Sequence, residues 1–418
     1  MSRTGVDVPT RLARRLGLGD AVTIGLGSMI GAGIFAALGP AAQVAGSGLL
    51  IGLALAAAVA FCNATSSAAL AAIHPVSGGT YVYGREHLGP FWGYLAGWGF
   101  VIGKIASCAA VALTVGAYAA PSVQRPVAVA AVIALTAVNC RGVRKTAALT
   151  RVIVALVLAA LAMVVAGSLF GGTASPERLG SVTDGGVVGT LQSAGVLFFA
   201  FAGYARIATL GEEVVEPART IPRAVCVALG ITLAVYVTVA VSALLAVGPA
   251  ALAASDAPLA TAVVAGDLDA LLPAVRIGGA IAGLGVLLSL IAGVSRTAFA
   301  MAADDELPGW LEAVHAVRRV PHRAEIATGA ITVGLVTVTD LRHAIGFSAF
   351  CILTYYAITN ASAWVLPAGQ RRWPRALAAA GVVGCAGLAL TLPAASAIAG
   401  AGVLAVGVLV RVVRQHRV

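Results

Sequence analysis

TIGLGSMIGAGIF (residues 23–35) is an apolar stretch near the N-terminus, with glycine at positions 25, 27, 31 and 33. Glycine in a helix costs about 1 kcal/mol per residue relative to alanine. Four glycines in so short a stretch therefore predict a membrane helix that is interrupted near its middle. A second interpretation stays open, because the spacing of Gly27 and Gly31 also suits close packing between two membrane helices.

FFAFAGYARIATLG (residues 198–211) is a second apolar stretch that contains glycine, and Gly195 precedes it. A helix interrupted inside a membrane leaves backbone N–H and C=O groups that need partners. A substrate that carries both a carboxylate and an ammonium group can supply them. Its carboxylate accepts from N–H groups at the N-terminus of one half-helix, and its ammonium donates to the freed carbonyls. Interruptions in corresponding positions of two halves indicate a transporter with an inverted repeat.

The composition excludes a soluble protein. Of 418 residues, 60% are hydrophobic and 11% are charged, and the mean hydropathy is +0.96, whereas a soluble domain has about 25% charged residues. The formal charge of +10 would suggest a nucleic-acid partner in a soluble chain. Here the basic residues stand between apolar stretches, so they indicate membrane topology and no nucleic-acid partner.

Apolar stretches long enough to cross a bilayer, about 20 residues each, recur along the chain. The pattern predicts an all-α polytopic membrane protein with twelve transmembrane helices. The predicted spans are 21–39, 46–73, 91–119, 126–140, 147–170, 189–210, 222–248, 273–301, 324–339, 343–366, 376–393 and 395–412.

The basic residues give this map an orientation. With both termini in the cytoplasm, 21 Lys and Arg residues fall in inside connections and tails, and 4 fall outside. Such a bias is what the positive-inside rule expects. We therefore predict a multi-pass protein of the inner (plasma) membrane. The connection 302–323 is predicted to form a cytoplasmic interfacial helix, and residues 250–272 an outer amphipathic segment.

Several classes of protein are disfavoured by what the chain lacks. The six Cys form no CxxC pair and the six His lie in polar connections or the tail, so no metal site or other cofactor is expected. A membrane enzyme would need a nucleophile or metal cluster, and a channel would need a repeated pore-lining ring. There is no GxxxxGK[ST] loop for ATP. A secondary transporter is the favoured class.

Four motifs occur in one order along the chain. IGAGIF (30–35) resembles the first-helix signature of the amino acid–polyamine–organocation superfamily, and FFAFAGY (198–204) with EEVVEPARTIPRA (212–224) resembles its sixth-helix region. PVSGGTYVYGREHLGP (75–90) is similar to its loop between helices two and three, and SRTAFAMAADDELP (295–308) to the end of helix eight.

The resemblance implies the leucine-transporter fold, a 5+5 inverted repeat with broken helices 1 and 6 and two further helices. The domains would be 1–20 (cytoplasmic N-terminal segment), 21–170 (first repeat), 189–366 (second repeat) and 376–418 (helices 11 and 12 with the tail). It also implies uptake or exchange of amino acids or related organic amines by alternating access. The alternatives are a transporter of a non-amino-acid amine or polyamine and, less favoured, a channel.

The same resemblance implies a binding site built mainly from backbone. The substrate carboxylate would meet the segment made of Ile30, Gly31, Ala32 and Gly33. The ammonium and side chain would meet Phe199, Phe201, Ala202 and Gly203, with Phe201 also as an aromatic gate.

Two departures from the family pattern concern proton coupling. The Lys that several relatives carry in helix five is replaced by apolar residues 155–158, and the position after the sixth-helix glycine that often holds an acid is Ala205. Lys104, inside span 3, is therefore a candidate proton-linked group, or else a structural Lys bonded to broken-helix carbonyls. Arg206 is a candidate contact for a substrate carboxylate, or else a structural residue near the inner gate.

Overall fold

The computed structural model describes residues 16–74, 78–142, 147–208 and 214–415, and these segments are helical apart from their connections and one isolated bridge. The first half contains α1 (Leu18–Met29), α2 (Ala32–Ala45), α3 (Leu49–Ile73), α4 (Thr80–Leu88), α5 (Pro90–Ala119), α6 (Gln124–Cys140) and α7 (Ala147–Phe170). The second half contains α8 (Gly186–Phe201), α9 (Ala205–Ala208), α10 (Pro217–Ala254), α11 (Pro258–Ala265), α12 (Leu272–Ala303), α13 (His322–Val338), α14 (Leu341–Trp364), α15 (Arg375–Thr391) and α16 (Ala394–Gln415).

The helices follow the apolar stretches of the sequence closely. Within the described ranges, nine helical segments are long and apolar enough to cross a membrane. One of them, Ala32–Ile73, contains both α2 and α3, which are separated by a short 3₁₀ turn at Gly46–Gly48. The chain is thus a multi-pass membrane protein.

The interrupted first helix lies in the interior of the helix bundle. α2 packs against α8, α10 and α5, and α1 packs against α10 and α7. α5 in turn packs along α12 and α14. The segment between α1 and α2 is therefore surrounded by helices from both halves of the chain.

The predicted interfacial helix at 302–323 is wrong. α12 ends at Ala303, residues 304–321 hold turns, irregular backbone and a 3₁₀ turn at Gly309–Glu312, and α13 begins only at His322. Pro308 and Pro321 lack the N–H that a continuous helix needs, and Asp305 and Arg319 have φ of 58° and 55°, outside the right-handed helical region. In residues 250–272, helix does form: the end of α10, α11 and a 3₁₀ turn at Asp269–Leu271.

Candidate functional site

The first apolar segment is interrupted at Ile30 and Gly31. α1 ends at Met29, the ψ angle of Ile30 is 74°, and α2 begins at Ala32. The N–H of Ile30 donates to the Leu26 carbonyl at 2.7 Å and the N–H of Gly31 to the Met29 carbonyl at 2.8 Å. The interruption that the glycines predict is therefore present, and it is deeply buried, since Met29 and Ile30 are each 1% exposed.

This interruption brings the C-terminus of α1 within two residues of the N-terminus of α2. The first N–H groups of α2 have no partner inside their own helix, and the N-cap residue, Gly31, has no side chain with which to cap them. The N-terminus of a helix carries partial positive charge and the C-terminus partial negative charge. α2 therefore offers donors that suit a carboxylate, and the end of α1 offers carbonyls that suit a cation.

The predicted break in the second glycine-containing stretch, that of helix 6, is not present as an unwound segment. α8 ends at Phe201, a 3₁₀ turn covers Ala202–Tyr204, and α9 follows. The backbone of Phe201, Ala202 and Ala205 stays in the right-handed helical region, so the helix is tightened here and not unwound. A 3₁₀ stretch within a helix often marks a functional hinge.

The two stretches meet backbone to backbone. A Cβ added at Gly33 would lie 2.6 Å from the Cα of Ala200. A Cβ added at Gly203 would overlap the carbonyl oxygen of Ser28 and lie 2.8 Å from the nitrogen of Met29. Glycine is needed at both positions because no side chain fits between the two main chains.

The glycines of the first stretch have different roles. A Cβ at Gly27 would lie 2.9 Å from the Cγ2 of Val154 in α7, so Gly27 allows close helix packing. Gly31 lies at the interruption, where an added Cβ would overlap the end of the Val286 side chain. The packing interpretation therefore applies to Gly27 and the interruption to Gly31.

Two tyrosine hydroxyls donate to carbonyls of these stretches. The Tyr236 hydroxyl lies 2.5 Å from the Met29 carbonyl oxygen and 3.0 Å from that of Ala200. The Tyr356 hydroxyl lies 3.4 Å from the Ala202 carbonyl oxygen. Tyr236 was missed in the sequence; the signal that could have found it is a tyrosine inside an apolar span, since a buried phenol needs a hydrogen-bond partner.

The structure brings the predicted binding residues together in one place. Ile30, Ala32, Phe201 and Ala202 are buried, and Phe199 is half-buried. The ring of Phe201 lies 5.1 Å from that of Tyr236, centroid to centroid. Gly33 contacts Ala200 near the end of α8, and Gly203 of the 3₁₀ turn contacts Ser28 and Met29, whereas Gly31 faces Val286 of α12.

The two candidate cations lie on α5 and α9. Lys104 is half-buried on α5 and forms no hydrogen bond or ion pair with any residue that the structure describes. The helix-carbonyl bond that a structural role would require is thus not made. Arg206 lies exposed on α9.

Two of the sequence motifs contact each other at one end of the bundle. The hydroxyl of Tyr81 donates to Asp304 at 2.6 Å, and Arg85 pairs with the same carboxylate at 2.7 Å. Tyr81 and Arg85 belong to α4 and Asp304 follows α12. The motifs at 75–90 and 295–308 therefore join α4 to the end of α12. Residues 75–77 of the first motif, and Glu212 and Glu213 of the motif at 212–224, lie outside the described residues.

An ion pair connects the start of α1 to the start of α7. Arg151 lies 2.5 Å from Asp20, whose side chain is 26% exposed. The hydrogen bond from Arg151, with another from the N–H of Gly17, holds the pKa of Asp20 below its ordinary value.

In the described residues, no group of three or more His, Cys, Asp and Glu side chains could hold a metal ion.

Comparisons with known proteins identify the family. The family model described as amino acid permease matches residues 16–412. An uncharacterized transporter of Mycobacterium tuberculosis (strain ATCC 25618 / H37Rv) is 60% identical, over 98% of this chain and 93% of its own. The branched-chain amino acid permease BcaP of Bacillus subtilis (strain 168) is 26% identical, over 91% and 86% of the two chains. The methylthioribose transporter of the same species is 29% identical, over 83% and 80%. The chain therefore belongs to the amino acid permease family of the amino acid–polyamine–organocation superfamily.

Proposed function

We propose that this transporter is a secondary active carrier of amino acids or related organic amines that works by alternating access. The observation that carries the proposal is the interruption at Ile30–Gly31 in the buried interior. There the N-terminus of α2, whose first N–H groups have no partner inside their own helix, follows directly on the carbonyl end of α1. In this proposal the segment Ile30–Gly33 meets the substrate carboxylate. The N–H groups of Ala32 and Gly33 are its donors, because the N–H of Gly31 already donates to the Met29 carbonyl. The carbonyls at the end of α1 and around Phe199–Gly203 bind its ammonium.

The buried charges favour a substrate with an uncharged side chain. Among the acidic residues that the structure describes, Glu325 is the one that is buried, and it lies in the first turn of α13. Apart from Glu325, no buried carboxylate among the described residues could balance a second positive charge on a substrate. Zwitterionic amino acids with neutral side chains therefore fit this site better than a polyamine does.

The proposed topology has twelve membrane helices, with both termini in the cytoplasm and the chain in the inner membrane. Helices 1–5 (21–170) and 6–10 (189–366) form the inverted repeat, and 376–418 add two helices and the tail. The 3₁₀ turn at Ala202–Tyr204 supports the correspondence, because it lies in the sixth segment as the interruption lies in the first. Reporter fusions to either terminus test the orientation.

We assign proton linkage to Lys104 within this proposal. It is the fifteenth of the thirty residues of α5, so it lies near the depth at which a permanent charge is most costly. The Lys104 ammonium forms no hydrogen bond or ion pair with a described residue, so nothing in that part of the chain compensates its charge. Arg206, which is exposed on α9, is assigned a structural role.

Counterflow in proteoliposomes tests the proposed function. Vesicles loaded with an unlabelled amino acid should take up the same labelled amino acid against its gradient, because only a carrier shows substrate-stimulated exchange. The panel includes neutral, cationic and anionic amino acids, a polyamine and methylthioribose, and a thermal-shift screen of the purified protein selects concentrations. Flux that is not stimulated by internal substrate would indicate a channel, and no flux with any amino acid would contradict the proposal.

A further inference from the structure

Tyr236 joins the two glycine-containing stretches through a single hydroxyl group. Met29, whose carbonyl lies 2.5 Å away, is the last residue of α1. Ala200, whose carbonyl lies 3.0 Å away, is the second-last residue of α8. The tyrosine itself is 0% exposed, so these contacts lie deep inside the bundle.

The hydroxyl has too few protons for the acceptors that it meets. A phenol donates one hydrogen bond, and here two carbonyl oxygens lie within donor distance of it. An ammonium has three donors and a positive charge, and the end of α1 carries partial negative charge. The Met29 carbonyl also accepts the N–H of Gly31 at 2.8 Å, so the tyrosine meets its second lone pair. A substrate amino group in the place of the hydroxyl could donate to both the Met29 and the Ala200 carbonyls at once.

The Tyr236 side chain packs against Phe201 of α8, and the helix that carries it packs against the end of α1. The ring of Phe201 lies 5.1 Å from that of Tyr236 at an interplanar angle of 59°. One helical turn earlier on α10, the Thr232 hydroxyl lies 3.9 Å from the sulfur of Met29. α10 is thus fitted to the end of α1 along one face, with the Tyr236 hydroxyl at the interruption.

We propose that Tyr236 occupies the ammonium subsite of the empty carrier and stabilises its closed, substrate-free state, until the amino group of the substrate displaces it. The inference rests on the proposed function. Tyr236 is a positioning residue in this account: its hydroxyl closes the interruption between α1 and α8 when no ligand does.

This role has a consequence for the transport cycle. In net uptake the carrier returns empty, whereas in exchange it crosses the membrane loaded in both directions. Removing the hydroxyl destabilises the empty closed state only. A net hydrogen bond of ordinary strength changes an equilibrium by about threefold to tenfold, so net uptake should fall by about that factor while exchange stays near its original rate.

The test compares Tyr236→Phe with a matched variant, Tyr118→Phe. The Tyr118 hydroxyl is also 0% exposed and donates to a carbonyl, that of Phe35, at 3.0 Å, but Phe35 lies within α2 and not at the interruption. Net uptake and exchange of a tritiated mixture of uncharged amino acids are measured in proteoliposomes and normalised to folded protein.

The expected result is a threefold to tenfold fall in the ratio of net uptake to exchange for Tyr236→Phe, with an unchanged ratio for Tyr118→Phe. The half-saturating concentration in exchange should also fall for Tyr236→Phe, because the competing hydroxyl is gone; this measurement decides the matter if net uptake is too small to quantify. Equal losses of net uptake and exchange, or no loss of either, would overturn the inference alone. Absence of exchange in the unaltered protein would instead overturn the proposed function.

Discussion

The contact between the two main chains makes Gly33 a sensitive position. A Cβ at this residue would lie 2.6 Å from the Cα of Ala200 and 3.0 Å from its Cβ, whereas ordinary contacts begin at 3.4 Å. Gly33→Ala therefore requires α2 and α8 to separate by about 0.8 Å, the difference between 3.4 and 2.6 Å. Neither atom is the end of a flexible side chain, so the helices themselves must shift.

The expected effect follows from the cost of overpacking. Inserting a methyl group into a well-packed interior costs about 1–3 kcal/mol, and about 1.4 kcal/mol corresponds to a factor of ten in an equilibrium constant. The strain falls on the conformation in which α2 and α8 touch, so transport per folded molecule should drop by about fivefold to a hundredfold. The melting temperature of the purified protein should fall as well.

Gly230→Ala is the matched control for this experiment. Gly230 lies exposed on α10, and a Cβ there would meet nothing within 4 Å. The same substitution should raise helix stability by up to about 1 kcal/mol and leave counterflow unchanged. The reasoning would be refuted by a Gly33→Ala protein that melts and transports like the unaltered one.

Three further substitutions test other contacts. Gly31→Ala should impair transport because the added Cβ overlaps the end of the Val286 side chain. Since that side chain is the obstacle, adding Val286→Ala should restore transport, and a double variant as inactive as the single one would refute this. Lys104→Met should remove the pH dependence of uptake, and an unchanged pH profile with normal transport would exclude a proton-linked role. Asp20→Asn should remove the ion pair to Arg151. The pair contributes at most about 1 kcal/mol of stability, because it is largely exposed. Since the pKa of Asp20 is lowered in the folded protein, this stability is present at neutral pH and is lost as the pH falls through that pKa. The melting temperatures of the two proteins should therefore differ at pH 7 and converge in acid, and equal values at pH 7 would contradict the prediction.

The positions of the helices were largely predictable from hydropathy. The predicted span 273–301 corresponds to the helix Leu272–Ala303, and 147–170 to Ala147–Phe170. A helix that crosses a bilayer needs an apolar run whose length is set by the bilayer thickness, so its ends are marked in the sequence itself. No such constraint acts on residues 302–323, and the prediction of a helix there failed.

The interruption of the first helix was also predictable, because four glycines within residues 23–35 weaken a helix locally. The form of the second stretch was not. Gly203 marks it, yet the backbone there tightens into a 3₁₀ turn and stays helical. Local propensity indicates where a helix is weak. It does not indicate the conformation there, a 3₁₀ turn in which Gly203 packs against Ser28 and Met29.

The sequence by itself determined that this chain is a multi-pass helical membrane protein, where most of its helices begin and end, and where the first of them is interrupted. Each of these depends on the composition of one continuous segment and its solubility in lipid. Only the tertiary structure decided which groups meet at the interruption: Tyr236 bonds to Met29 across 207 residues of chain. Contacts between segments so distant depend on how the helices pack, and no local pattern records them.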